Sequence, residues 1–441
     1  MLEPLKNSTY RHLFTAQVIA LLGTGLTTVA LALLAYDLAG DQAGTVLGTA
    51  LALKMLAYVT IAPIVSGLAA ALPRKRVLVT LDIARAGFVL CLPFVSEIWQ
   101  IYLIIFLIQS CSAGFTPMFQ ATIPDIISDE KTYTKALSLS RLAYDLESLV
   151  SPALAAAALV FMSFNALFAF NSVAFLISAI LVVTAVLPKK EKNQDAKIIS
   201  VWEKVSFGTR AYLATPRLRG LLALSLATAS AGAMVIVNTV VIVQGGFGLG
   251  AQDVALALAA YGGGSMLAAL TLPKLLERLP ERPVMLAGAA FISIGLLAGS
   301  TVSVFFWLLP LWFLLGCSAS LINTPTGRLL RRSSSEEDRP AYFAAQFSLS
   351  HACWLITYPL AGWLGASIGI AETFYILAGI VAFGFVLALF IWPSKDQTTL
   401  NHTHTDLPHD HPHLTKAHPV YGGYNHQHDF VIDHHHKVWP K

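Results

Sequence analysis

The sequence predicts an all-α integral membrane protein of twelve transmembrane helices in two pseudo-symmetric six-helix bundles. Three observations predict it. Hydrophobic residues make up 56% of the 441 positions and charged ones 12%, twelve apolar runs each have the length that crosses a bilayer, and the two halves of the chain repeat one another. A mean hydropathy of +0.65 exceeds what a hydrated soluble surface carries, so lipid is the expected solvent. The runs centre near residues 25, 58, 86, 108, 147, 175, 230, 262, 292, 314, 353 and 381. Lipid offers no hydrogen bonds to the backbone, and the alternation of barrel strands is missing, which leaves helices as the consistent reading.

The first run is too long for a signal-peptide core and lacks a small-residue cleavage site after it, so it is read as helix one. Cys91, Cys111, Cys317 and Cys353 all fall within apolar runs, without the spacing of a disulfide framework. Lys and Arg occupy every second connection: Lys6 and Arg11; Arg74, Lys75 and Arg76; Lys131 and Lys135; the stretch from Lys189 to Arg219; Lys274, Arg278 and Arg282; and Arg328, Arg331, Arg332 and Arg339. The connections between them carry none. By the positive-inside rule, both termini and all basic loops are expected in the cytoplasm. The net charge of +4 is this bias and implies no nucleic-acid partner.

The repeat sets the domain boundaries. Leu72, Pro73 and Val77 match Leu279, Pro280 and Val284 at an offset of 207, and Cys111-Ser112-Ala113 recurs as Cys317-Ser318-Ala319. We expect an N-terminal bundle over 1–187, a cytoplasmic linker over 188–217, a C-terminal bundle over 218–393 and a disordered tail over 394–441. Within the linker, Ile198 to Leu213 has the pattern of an amphipathic helix on the inner leaflet. Two parallel six-helix repeats are the architecture of alternating-access transporters, with a site at mid-membrane between the halves.

The layout, the basic loop from Gly67 to Arg76, and Asp82-Ile83-Ala84-Arg85 resemble the major facilitator superfamily over residues 10–395. The resemblance implies a gating role for Arg74, Lys75, Arg76, Asp82 and Arg85. One departure stands out: the acid and base that usually precede the turn are Ala71 and Leu72 here.

A charge at mid-bilayer costs about 2.5–3.5 kcal/mol even on lenient scales, so each one needs a reason. Lys54, Arg141, Asp145, Glu147 and His351 are such residues. Arg141 and Asp145 are four apart on one helical face and are expected to pair, which competes with a transport role for Asp145. Glu147 shares a different stripe with Tyr144 and Ser151, and the repeat offset maps that stripe onto His351, Trp354 and Tyr358. The stripes either face a shared cavity, or Glu147 pairs with Lys54 while His351 bonds a carbonyl. The candidate transport site is therefore Glu147, His351, Tyr144, Asp145 and Lys54. Cys353 lies about 160° around the helix from His351 and is read as core.

After Trp392-Pro393 the hydrophobicity ends, and the tail holds eleven of the thirteen histidines: His402, His404, His409, His411, His413, His418, His426, His428, His434, His435 and His436. Imidazole suits Ni, Cu, Zn and Co, and Asp406, Asp410, Asp429 and Asp433 add possible oxygen ligands. The polar, Pro-rich composition predicts disorder until metal gathers it. A pH-sensing tail is the competing reading. With tail and body together, the chain resembles the nickel-resistance exporters of that superfamily, the NreB-type group. The matching stretches are Phe115 to Asp125, Ala136 to Asp145 and Ser350 to Trp354. The resemblance implies Ni²⁺, with Co²⁺ beside it, as substrate, and a bacterial inner membrane as location.

No Gly-x-x-x-x-Gly-Lys loop occurs, so an ion gradient is the expected driving force and protons the expected coupling ion. We expect no resident cofactor, no catalytic residues and no enzyme activity, with lipid, protons and divalent metal cations as partners and a monomer as the working unit. An organic-molecule exporter with a metal-sensing tail is the competing function.

Overall fold

The computed structural model describes residues 2–39, 43–69, 72–187, 201–396, 399–404, 414, 418–420, 423–433, 436 and 438–440. Every apolar run falls on a long helix. The first half contains α1 (Ser8–Ala39), α2 (Ala43–Ala69), α3 (Arg74–Cys91), α4 (Ile98–Ile126), α5 (Glu130–Leu159) and α6 (Phe164–Thr184). A shorter helix, α7 (Val201–Ala214), precedes the second half: α8 (Pro216–Val240), α9 (Ala251–Leu276), α10 (Glu281–Gly299), α11 (Phe305–Asn323), the single-turn-and-more α12 (Thr326–Arg332), α13 (Arg339–Ser367) and α14 (Ile370–Ile391). A π-helical segment, Val241–Gly246, prolongs α8.

Ten of the described helices are both long and apolar enough to cross a membrane. The two long helices outside that set are α5 and α13, those that carry Glu147 and His351. Arg141, Asp145 and Glu147 in α5, and the Ser, Gln and His residues of α13, dilute their hydropathy; a helix facing a polar cavity rather than lipid tolerates this.

The repeat is visible in the packing. In the first half α1 packs on α5 and α6, α2 on α4, and α3 on α4 and α6; in the second, α8 packs on α13 and α14, α9 on α11, and α10 on α11 and α14. The halves meet along the equivalent pairs α2–α13 and α5–α9. Small residues allow the close approaches. A Cβ at Gly264 would collide with the Phe313 carbonyl, and one at Gly316 with the Tyr261 carbonyl, so α9 and α11 are in backbone contact. Ala113 and Ala319, the last residues of the repeated Cys-Ser-Ala segments, are both buried. Between α1 and α6, the Asn171 amide donates to Thr27 Oγ1 at 2.6 Å, a polar tie inside an apolar interface.

The amphipathic helix forms as α7. Its small residues meet both halves: a Cβ at Gly208 would collide with Ala341 of α13, and Gly67 of α2 packs on Val205. Ala211 and Tyr212 are buried, while Trp202 stays exposed. Residues 188–200 lie outside the described residues.

The tail departs from the expectation of disorder. Three strands, β1 (Thr399–His404), β2 (His418–Val420) and β3 (Gly423–Asp429), form an antiparallel sheet in the order β1-β3-β2. Leu400, Phe430, Ile432 and Trp439 join the hydrophobic core of the second half, and the Tyr342 hydroxyl donates to the Ile432 carbonyl at 2.8 Å. The polar, Pro-rich composition predicts disorder. What overrides it is this apolar cluster, which gives the segment a surface to bury against. His409, His411, His413, His434 and His435 lie outside the described residues.

Candidate functional site

The chain brings polar groups together at three levels: mid-membrane, the basic side and the tail. At mid-membrane, Lys54, Glu147 and His351 each lie twelve to seventeen residues from the basic end of their helices, α2, α5 and α13, or about 18–26 Å at 1.5 Å per residue. His351 Nδ1–H donates to the Phe347 carbonyl at 2.7 Å. This fixes the tautomer and leaves the Nε2 lone pair as the free ligand or proton acceptor. Tyr58 packs edge-on against His351 with centroids 4.8 Å apart, and against Phe347 at 4.8 Å. The Tyr58 hydroxyl donates to Gln109 Oε1 at 2.8 Å, and the Lys54 ammonium sits 5.6 Å from the Tyr58 ring centre.

Glu147 faces α1, with Oε1 3.3 Å from where a Cβ at Gly25 would lie. It makes no hydrogen bond or ion pair within 4 Å among the described residues. Lys54 is the charged group acting on both Glu147 and His351. Glu147 and His351 thus share an electrostatic partner without touching. Tyr144 lies near Gln17, Gln120 and Tyr58. Asp145 is turned away: it pairs with Arg141 at 3.0 Å, and Arg141 Nε donates to Ser265 of α9 at 2.9 Å. This pair joins the halves. Cys353 is buried, with Sγ 3.5 Å from the Leu349 carbonyl of its own helix. Sequence reasoning missed Tyr58, Phe347, Gln17 and Gln120; the available signal was that Tyr58 lies four residues from Lys54, on one face of α2.

On the basic side, Asp125 at the end of α4 takes Arg74 from its own half and Arg339 from the other. Arg74 Nη2 also donates to the Glu336 carbonyl at 3.1 Å. Arg328 pairs with Glu130 at 2.5 Å across the halves and with Glu281 at 2.8 Å within its own, and Arg331 donates to the Ser128 carbonyl at 2.5 Å. Applying the repeat offset, the Arg74–Asp125 pair becomes Glu281–Arg332, which also forms, at 3.7 Å, with the charges exchanged. The other residues of the gating motif stay within the first half. Lys75 Nζ donates to the Ala185 carbonyl at 3.0 Å, beyond the end of α6. Arg76 is exposed. Asp82 and Arg85 pair with each other; Ser178 donates to Asp82 at 2.8 Å, and the Arg85 guanidinium lies 4.1 Å from the Phe115 ring centre and 4.4 Å from that of Phe175. Ala71 falls outside the described residues.

In the tail, His402, His426, His428 and His436 place one ligand nitrogen each within 4.8 Å of one another. His402 stands opposite His426 in the β1–β3 ladder, and His428 follows two residues on, so strand periodicity puts all three on one face. His402 Nε2 is 3.2 Å from His426 Nε2 and 2.9 Å from His436 Nε2. The outer nitrogens are held: His402 Nδ1 by the Leu400 carbonyl at 3.2 Å, His428 Nδ1 by the Asp429 carbonyl at 2.7 Å, and His436 Nδ1 by Asp433 at 2.9 Å. Burial pushes the His402 imidazole down to about 4, against the pull of its Leu400 bond, with the neighbouring histidines pushing the same way as burial. It is neutral at physiological pH, the form that coordinates. His418 is exposed, in β2. Among the described tail histidines, four therefore converge.

Two helical bundles related by an internal repeat, with polar residues midway along the helices between them and a cluster of ion pairs at one end, have the build of a multi-pass membrane protein. The family model of the Major Facilitator Superfamily matches residues 13–243 and 221–418, and the chain belongs to that family. Among curated proteins, the chain is 28% identical over 159 residues to an uncharacterised MFS-type transporter, YfiS, of Bacillus subtilis, covering 34% of this chain and 38% of that one. It is 26% identical over 182 residues to macrolide efflux protein A of Streptococcus pyogenes, covering 40% and 44%. The aligned stretch thus spans about two fifths of these relatives. Solved structures of the same fold include the human organic anion transporter MFSD10 (TETRAN), with TM-score 0.75, 12% identity, and 86% and 98% of the two chains covered. A bacterial homologue of the iron transporter ferroportin in an outward-facing state gives TM-score 0.72, 12% identity, and 87% and 99% covered.

Proposed function

We propose that this transporter exports divalent transition-metal cations, Ni²⁺ foremost and Co²⁺ beside it, from the cytoplasm in exchange for protons. In this reading the basic side, both termini and the tail are cytoplasmic, the membrane is a bacterial inner membrane, and a monomer suffices. The observation that carries it is the convergence of four imidazoles on the same side as the basic gate, a donor set suited to borderline cations. The Glu147 carboxylate and His351 Nε2 bind the ion at mid-membrane, with Tyr144, Tyr58 and Gln109 as further oxygen donors. Lys54 is the internal counter-ion: it neutralises the empty site and gives way to the cation. Ligands must lose protons to bind metal, so exchange is built into the site.

Expelling a divalent cation against 100 mV costs about 4.6 kcal/mol, at about 2.3 kcal/mol per charge. Two entering protons balance that electrical term, and net pumping then needs a pH gradient or a third proton. A second reading has a specific observation in its favour: Tyr58 and Phe347 pack beside His351, and Trp354 packs on Tyr358 further along α13, aromatic contacts that suit an organic substrate, and one relative is named for macrolide efflux. Cellular content of Ni, Co, Zn and Cu, with and without the transporter, separates the two. Lower Ni and Co with the transporter is expected; unchanged levels of all four would leave the organic reading.

A further inference from the structure

We propose that His402, His426, His428 and His436 form one regulatory metal site whose occupation latches the tail onto the basic side and holds the gate between the two halves shut. The site fits a small cation. A tetrahedral ion with bonds of about 2.05 Å to nitrogen has nitrogen–nitrogen edges of about 3.3 Å; His402 Nε2 lies 3.2 and 2.9 Å from its two Nε2 neighbours, and all four ligand nitrogens lie within 4.8 Å of one another. Three of the four rings have the other nitrogen held by a carbonyl or carboxylate, the second shell that orients imidazoles toward a metal.

The residues that dock the tail pack against these rings. Phe430 lies 5.0 Å from the His402 ring and 4.6 Å from that of His436, and it is buried in the core of the second half together with Ile432. Ile432 is tied to Tyr342, three residues after the gate arginine Arg339 in α13. Trp439 covers the Arg217 guanidinium at 5.0 Å.

From the root of the tail a chain of charges runs to the other half. Asp396 pairs with Arg217 at 3.3 Å and Arg332 at 2.5 Å; Arg332 reaches Glu281 at 3.7 Å; Glu281 pairs with Arg328 at 2.8 Å, and Arg328 with Glu130 of the first half at 2.5 Å. An ion that fixes β1 to the segment around His436 fixes the residues packed against Tyr342 and Arg217. Arg217 is a member of this chain of charges, and Tyr342 lies one turn from Arg339, which pairs with Asp125 of the first half. The coupling is reciprocal: whatever factor metal adds to gate closure, closure adds to metal affinity. This regulation deepens the metal-export reading for its physiological sense, but its test needs no transport.

The test uses full-length protein in detergent and Co²⁺ alone, since four-coordinate Co²⁺ absorbs far more strongly in the visible than the six-coordinate ion. Wild type, and the control in which His409, His411 and His413 are all changed to Ala, should each bind one equivalent with the strong band; the His402→Ala, His426→Ala double variant should lose it. Hydrogen exchange over Ser128–Lys135 and Arg328–Tyr342 should slow at least tenfold with Co²⁺ in wild type and not in the double variant. The Asp396→Asn variant should keep the band and lose the slowing. Persistence of the band in the double variant overturns the site, and a full band with unchanged gate exchange overturns the latch. A protein that shows band and latch yet moves no metal would sink the export reading alone.

Discussion

At the residue scale, the account rests on one carboxylate and the cation beside it. Glu147 is half-buried on α5 facing α1, without an ion pair within 4 Å among the described residues, and a carboxylate in such a place is costly unless it serves a purpose. The Glu147→Gln variant should insert and fold normally, yet lose proton-coupled export by more than about tenfold, a loss of about 1.4 kcal/mol or more; wild-type rates in vesicles would remove Glu147 from the mechanism. In the proposed mechanism Lys54 competes with substrate for the same negative charge. Lys54→Met should therefore raise apparent metal affinity while weakening proton coupling, and a metal-binding titration that shows unchanged or weaker affinity would contradict the counter-ion role. Asp145 has a different task. It holds Arg141 at the junction with α9, so Asp145→Asn should lower the melting temperature, because removing one partner of a buried pair strands the other and costs about 3–5 kcal/mol. Unchanged melting with lost transport would instead put Asp145 in the substrate path.

At the element scale, the gate and the helices that serve it make the next prediction. Asp125 receives an arginine from each half, so Asp125→Asn leaves two guanidinium groups short of a partner. A maleimide probe applied from the basic side should then reach a cysteine placed at mid-membrane several-fold faster than in the parent; equal rates would mean that the Arg328–Glu130 pair suffices alone. This scale also shows what the residues reveal and what they hide. Helix positions were legible because lipid imposes a simple length and hydropathy rule, and the Arg141–Asp145 pair because a four-residue spacing is local. The gate was not, since Arg74, Asp125 and Arg339 are far apart in sequence and meet through the packing of α3, α4 and α13. The tail strands were half-legible. His402-Thr403-His404 and His426-Gln427-His428 have the two-residue period of a strand face, but the polar, Pro-rich composition points to disorder, and the apolar anchors Phe430 and Ile432 are too few to register as a core without the surface they cover.

At the scale of the whole molecule, the repeat explains why one site serves two halves. Equivalent helix pairs recur in each bundle, and the bundles meet along α2–α13 and α5–α9, so Lys54, Glu147 and His351 come from the helices that line the seam. The exchanged charges of Arg74–Asp125 and Glu281–Arg332 show that the repeat preserves the pairing and not the residues. All the ion pairs across the halves among the described residues lie on the basic side, where the tail also docks. The direct test is transport by the purified protein in sealed vesicles, recording Ni²⁺ and internal pH together. Ni²⁺ moving one way with protons moving the other, and both fluxes lost in Glu147→Gln, is the predicted result; a pH gradient that drives an organic dye but no metal would contradict it.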